Sequence, residues 1–311
     1  MPSLSVVIPT FRRPNILKLC LQCLERQTIA DELEVIVVSD GPDPATAAFF
    51  KNPTPYALRP ITYFEIPKSQ QGVARNAGMR HAHAPFVLFI GDDILLERNA
   101  CEKHLAAHAF LMKEQSPLSP FGGKGAGDGR LAAVLGFVTW DPVVEINPVM
   151  RWLERSGWQF GYPKIAKYAY AFLPAKIQEQ FTYSSHISVP TEVARQFRFR
   201  EDMTLYGWED IEWGRRMKQA GIRLFYEPDA KALHHHHITM EQSLTRMETL
   251  GQSLALLAEK VPYFRKQVSV LRRLSLHTRS LLPTMNGMHL RALLRGIRKV
   301  IRNRSPAKAK R

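Results

Sequence analysis

The chain has 311 residues, 45% hydrophobic and 23% charged, with a formal net charge of +15. That length supports a sizeable core and about two domains, and no apolar run reaches the roughly 18 to 20 residues of a membrane-spanning helix. Three cysteines, Cys20, Cys23 and Cys101, exclude a disulfide framework.

The opening "MPSLSVVIPT" runs into a strand-like stretch without a signal-peptide pattern, which sets a cytoplasmic expectation. "LSVVIPT" (4–10) reads as a strand, and "PNILKLCLQCLERQ" (14–27) as a helix with Leu17, Leu21 and Leu24 on one face and Pro14 in its first turn. Cys20 and Cys23 fall among those apolar residues and read as core rather than as a redox pair. "LEVIVVSD" (33–40), "ITYFEI" (61–66) and "FVLFIGDD" (86–93) read as further strands, with a helix at "QGVARNAGMRHAH" (70–83).

Strands alternating with helices imply crossover connections and a mostly parallel sheet covered on both faces. Ligands of such sheets bind beyond the carboxyl ends of the strands. That rule gathers Thr10 and Arg12, Asp40 and Gly41, and Asp92 and Asp93 along one edge. The last pair is the most demanding, because adjacent like charges at a strand end require a cation, a hydrogen-bond network or open water.

"SPLSPFGGKGAGDGR" (116–130) reads as a mobile loop whose glycines lack phosphate-loop spacing. Strands follow at 131–140 and 181–190, and 206–237 reads as loop, helix, glycine stop and a strand running into His234–His237. Strand alternation puts His234 and His236 on one side, where imidazoles can complete a cation's ligand set; a packed or solvated run fits equally. Glu209 and Asp210 start the helix, a place that capping and the helix dipole also favour for acids.

Residues 260–311 hold 15 Lys and Arg and no Asp or Glu, leaving the rest of the chain with equal numbers of basic and acidic residues. In "MHLRALLRGIRKVIRNR" (288–304), Leu290, Leu293, Leu294, Ile297 and Ile301 share one helical face, opposite Arg291, Arg295, Arg298, Lys299 and Arg302. This is the pattern of a helix lying on an anionic membrane surface. Packing on the chain's own domain or a subunit is the alternative, and the lack of aromatic residues weighs against nucleic acid. "RNRSPAKAKR" reads as a disordered end.

Five fragments in order, "SVVIPTFRRP", "VVSDGP", "QGVARNAGMRHA", "VLFIGDDILLE" and "GWEDIEWGRRMKQAG", resemble family 2 glycosyltransferases with the GT-A fold over roughly 3–240. The resemblance implies an α/β, GT-A-like, Rossmann-type, mostly parallel sheet flanked by helices over 1–240; the tail's own pattern adds a basic helical region over 241–311, which lets a cytoplasmic protein associate with the inner face of the membrane. It implies inverting transfer of a sugar from a nucleotide diphosphate donor, UDP-sugar favoured, to the hydroxyl of a glycan or lipid-linked acceptor in envelope glycan or glycolipid synthesis, with Mn²⁺ or Mg²⁺.

By the same resemblance Asp93 binds the metal, with Asp92 at metal, ribose or water, although Gly91 stands where the family has a first aspartate. His234 and His236 complete the metal set. Asp40 reads base or ribose, with Ser39 replacing a neighbouring acid, unless it only makes an Asp-Gly turn. Gly72, Arg75 and Asn76 contact the donor, with Thr10 and Arg12 as weaker candidates. Asp210 is the general base, because an acceptor hydroxyl must lose its proton to attack, and Glu209 orients it or hydrogen-bonds the acceptor. Gly207 and Trp208 face the acceptor, although Trp208 as core packing fits as well. A nucleotide-binding anchoring or nucleic-acid-binding protein without transferase activity, and a sugar nucleotidyltransferase, are the alternatives; for the last, "PTFRRP" stands where a Gly-rich loop is expected.

Overall fold

A computed structural model describes residues 1–51, 61–114 and 131–304. The loop expected at 116–130 and residues 305–311 of the expected disordered end lie outside them.

β1 (Leu4–Thr10) and β2 (Leu33–Asp40) are buried at every position. Their near-continuous apolar runs of branched residues are what a strand covered on both faces needs. With β3 (Ile61–Ile66) and β4 (Phe86–Ile90) they form a parallel block in the order β3-β2-β1-β4. β5 (Ile94–Leu96), β6 (Ala133–Trp140), β7 (Ala171–Phe172), β8 (His186–Pro190) and β9 (Leu224–His234) complete the sheet. Past β4 the order runs β8-β6-β9-β5, with β7 also on β9. β8 is antiparallel to β4 and β6, whereas β6 and β9 are parallel.

The strand expected at 86–93 ends at Ile90, because the chain turns at Gly91, closed by Ile94 N–H donating to the Gly91 carbonyl (3.2 Å). The two aspartates sit in that turn. β5 then pairs antiparallel with the end of β9, Ile94 opposite His234. This register brings the turn after one strand against the last residues of another far away in sequence.

Helices α1 (Pro14–Glu25), α2 (Pro44–Lys51), α3 (Gln71–Arg80), α4 (Ala100–Glu114), α5 (Pro148–Ser156), α6 (Thr191–Gln196) and α7 (Glu209–Gln219) punctuate the strands. α1 buries Leu17, Cys20, Leu21 and Leu24, the face its sequence marks out.

The chain divides into two compact units: 1–145, 154–200 and 210–236 form one, and 146–153, 201–209 and 237–311 the other. Two short pieces from within the expected 1–240 region thus cluster with the C-terminal helices. Those helices are α8 (Met240–Lys260), α9 (Pro262–Arg265), α10 (Val270–Ser280) and α11 (Met285–Arg304). Thr239 and Gln242 make a reciprocal capping box at the start of α8.

α11 lies along α8 at close range. A Cβ at Gly251 would strike the Leu293 carbonyl, and one at Gly296 the Glu248 carbonyl. Leu290, Leu293, Leu294 and Ile297 are buried. This corrects the expectation that the apolar face within 288–304 meets a membrane: α8 covers it, because small residues on both helices let the backbones approach.

Candidate active site at the strand ends

Asp92 is buried, and Thr10 Oγ1 at the end of β1 donates to its Oδ2 (2.7 Å). Arg13 forks across both aspartates, Nη2 to Asp92 and Nη1 to Asp93 (3.0 Å). A buried acid and its half-buried neighbour are therefore balanced by a guanidinium from the start of α1 and by a hydroxyl. Burial, with repulsion from Asp93, still pushes the Asp92 carboxyl up to about 6, against the pull of Arg13 and Thr10. Asp93 goes the other way: burial would raise it, but His234, His236 and Arg13 hold it well below the usual carboxylate range.

Asp93 Oδ2 lies 3.4 Å from His234 Nε2 and 3.6 Å from His236 Nδ1. One ligand atom from each of the three residues falls within 4.8 Å of the others. The arrangement follows from strand geometry. His235 N–H donates to the Asp93 carbonyl (2.8 Å) while its ring goes to Asp141 (2.7 Å), so its two neighbours turn toward the carboxylate. The two facing rings stack at 5.4 Å, and Trp140 stacks on His234 at 5.2 Å. Gly91 leaves the room required, since a Cβ there would sit 2.8 Å from Asp93 Oδ1. One carboxylate oxygen with two imidazole nitrogens is a donor set that fits a divalent transition metal better than Mg²⁺, which prefers oxygen.

Asp40 ends β2 one residue past Ser39, the register partner of Thr10. It accepts hydrogen bonds from Lys68 Nζ (2.6 Å) and Ser69 N–H (2.7 Å), and the Lys68 ammonium sits 4.1 Å from the centre of the Phe11 ring. Arg12 has a left-handed backbone (φ 56°) and its N–H donates to Asp43 (2.6 Å), so Arg13 rather than Arg12 meets the paired aspartates.

On α3 the buried Asn76 pairs both ends of its amide with the Phe199 backbone, donating to its carbonyl (2.8 Å) and accepting from its N–H (2.9 Å). Gly72 lies under the same residue, its hypothetical Cβ 3.1 Å from that of Phe199. These two residues hold the backbone at Phe199. Arg75 is buried, its guanidinium carbon 5.5 Å from the centre of the Phe199 ring.

Asp210 lies in the first turn of α7, and its carbonyl accepts from Thr182 Oγ1 (2.8 Å). Three residues on, the Ser185 carbonyl accepts from Gly91 N–H (3.4 Å). At most about 10 Å of chain therefore links the anchor of α7 to the turn holding Asp92 and Asp93. In the second unit, Gly207 (φ 104°) and Trp208 (φ 69°) are both left-handed. That conformation is strained for Trp208, and such strain concentrates at functional sites. The Trp208 indole N–H donates to the Leu250 carbonyl (2.9 Å), and Glu209 is buried.

The sheet order and the acid-lined strand ends define a GT-A-type glycosyltransferase fold. A mannosyltransferase from Pyrobaculum calidifontis, solved with GDP-Man and Mn²⁺, superposes with a TM-score of 0.57 at 14% identity, covering 97% of this chain and 88% of its own. S. aureus TarS 1–349 with UDP gives 0.55 at 12% identity, covering 98% and 92%.

Residues 5–114 match the family model for glycosyl transferase family 2. It is 28% identical over 235 residues to validoxylamine A glucosyltransferase of Streptomyces hygroscopicus subsp. jinggangensis, covering 71% of this chain and 53% of that protein. It is 30% identical over 137 residues to the GalNAc(5)-diNAcBac-PP-undecaprenol beta-1,3-glucosyltransferase of Campylobacter jejuni, covering 40% and 44%. The chain spans about half the length of the curated relatives it matches first.

Proposed function

We propose that this chain is a divalent-cation-dependent glycosyltransferase that moves a sugar from a nucleotide diphosphate donor, a UDP-sugar by preference, to an acceptor hydroxyl with inversion. The observation that carries the reading is the convergence of Asp93, His234 and His236 beside Asp92 and Thr10. Asp93, His234 and His236 would hold the cation, which neutralises charge on a departing diphosphate; their nitrogens favour Mn²⁺ over Mg²⁺. Asp92, with Thr10 on one carboxylate oxygen and Arg13 on the other, meets ribose or water through a remaining lone pair as Arg13 turns toward the phosphates. Arg13 and Arg75 supply fixed positive charge for phosphate oxygens. Asp40 accepts from base or ribose, with Lys68 beside it. Asp210 takes the acceptor proton as the new bond forms, with Glu209 near it in sequence to orient or bind the acceptor.

A glycan or lipid-linked acceptor fits the polyprenol-linked substrate in the name of the Campylobacter relative. No helix among the described residues is long and apolar enough to cross a membrane, and we place the enzyme in the cytoplasm or on the inner membrane face.

The test is a panel of nucleotide sugars against the purified chain, with and without Mn²⁺, read by melting temperature and by hydrolysis or transfer. A ligand that binds only the native state raises its stability. Stabilisation by a UDP-sugar that needs Mn²⁺ is expected; the absence of any metal-dependent stabilisation across the panel would refute the reading.

A further inference from the structure

α11 buries its apolar face, but α10 does the reverse. Leu276 and Ser280 face inward, while Val270, Leu271 and Leu274, with Leu281 and Leu282 just after the helix, are between 57% and 80% exposed. At about 100° per residue, Val270, Leu271 and Leu274 fall on one side of the helix, opposite the packed side, and Leu281 and Leu282 carry the exposed apolar stretch past its end. Five large exposed aliphatic side chains within 13 residues call for a partner, which scattered single residues do not.

The border of this face is basic. Arg272, Arg279 and His277 are exposed at its edges, and Arg298, whose Nη2 lies 3.5 Å from His277 Nδ1, is exposed on α11 with Arg295, Lys299 and Arg302. No acid occurs anywhere from residue 260 onward. The element is built in advance. Ser269 caps its start by accepting from Arg272 N–H (3.3 Å), and Arg291 donates to the carbonyls of Ser280 and Leu282 at its end.

We propose that α10 and the turn after it dock on a bilayer surface carrying anionic phospholipid, the five aliphatic side chains entering the acyl boundary and the arginines meeting the headgroups. The charge pattern selects this occupant. Arg295 pairs with Glu248 (3.2 Å), but a second copy seated on the same face would still set Arg272, Arg279, Arg298 and Lys299 against their own counterparts, with no acid from residue 260 onward to offset them. Single-stranded nucleic acid would need aromatic platforms, and this face carries aliphatic groups only. At 11 residues the helix is far too short to span a bilayer, so it lies on the surface. The inference does not depend on the proposed reaction.

Sedimentation of the full chain with sucrose-loaded vesicles tests it. Binding is expected to vesicles of phosphatidylcholine with about a third phosphatidylglycerol, and to weaken with salt, by about fivefold for each headgroup-paired cation removed. L271S/L274S alters only exposed positions and should lower partitioning at least ~10-fold. R272Q/R279Q should weaken it and flatten the salt dependence, and V143S, an exposed apolar residue elsewhere, should change nothing. Failure of the wild type to bind anionic vesicles, or undiminished binding by L271S/L274S, overturns the proposal. So does a wild-type dimer in sedimentation velocity that L271S/L274S dissociates, which would make a second copy the occupant. Nucleotide-sugar turnover in detergent-free solution is read in parallel, so loss of docking and loss of the reaction are separately visible.

Discussion

The sheet carries two triads rich in histidine, and they differ in what surrounds the rings. His104, His108 and His186 are buried between α4 and the strands, with Ser188 among them. The Phe137 carbonyl accepts from His186 Nδ1 (3.3 Å), which leaves His186 Nε2 to accept from His104 Nε2 (3.1 Å). His104 Nδ1 then accepts from Ser188 Oγ, and Ser188 Oγ from His108 Nε2, each at 2.8 Å. The carbonyl sets one direction for the whole chain, and every ring in it is neutral. Burial accordingly depresses all three, His108 to about 3, His186 to about 4 and His104 well below its usual value, the last also by its two ring neighbours. Asp93, His234 and His236 instead place a carboxylate among the rings at the sheet's edge, and among the described residues only this group meets the spacing a metal ion needs. Imidazoles alone make a hydrogen-bonded core; an acid beside them, at a strand end, makes a ligand site.

The sharpest way to break this contrast is to remove the acid. Asp93→Ala should reduce sugar transfer to background and abolish Mn²⁺-dependent stabilisation by the donor, while His108→Gln should leave the Mn²⁺ midpoint unchanged. Equal donor affinity with and without chelator in the Asp93→Ala protein would dissolve the distinction. Asp210→Asn comes next. Loss of a general base typically costs about 10²–10⁴ in rate, so transfer should fall by that much with donor binding retained; near-normal turnover would remove Asp210 from the role.

Much of this contrast is legible before any coordinates. The strands at 4–10, 33–40 and 61–66 end where the apolar runs end, and period-two alternation suffices to pair His234 with His236. What escaped were contacts set by tertiary packing. In "FRRP" nothing separates Arg12 from Arg13. Only the left-handed backbone at Arg12, followed by the helix starting at Pro14, turns Arg13 onto the aspartates. Lys68 reaches Asp40 across a strand crossover, which local pattern does not report. β5 is three residues long and exists because β9 offers it an edge. The amphipathic pattern of α11 marks a helix with one apolar face but not what covers it: such a face looks the same whether it meets lipid or another helix, and the distinguishing signal is Gly251 and Gly296.

The neutral triad makes a prediction about acid. Its native pKa values lie below the ordinary histidine value of about 6.5, so the unfolded chain takes up protons that the native chain refuses. The stability of these rings is fully present above pH ~6.5 and declines as pH falls from there toward about 4. The slope is up to about 1.4 kcal/mol per pH unit for each histidine. Urea unfolding between pH 7 and pH 4.5 should show this acid limb, shallower by about one proton in His108→Gln. A slope that does not change would mean His108 titrates alike in both states.

Gly91 sharpens the comparison with the smallest change. A methyl group there would stand 2.8 Å from Asp93 Oδ1, so Gly91→Ala must move the carboxylate by a few tenths of an ångström or shift the turn. The buried triad, in the body of the sheet, does not share that turn. Overpacking typically costs about 1–3 kcal/mol, and a partly open turn should keep the loss of stability near the low end of that range, while Mn²⁺ affinity should fall several-fold because the ligand oxygen no longer faces both imidazoles. Isothermal titration with Mn²⁺ alone, beside a urea melt, separates the two quantities. If affinity falls only in proportion to stability, Gly91 serves the fold; if affinity falls while the melt holds, the absent side chain in "IGDD" shapes the ligand site itself.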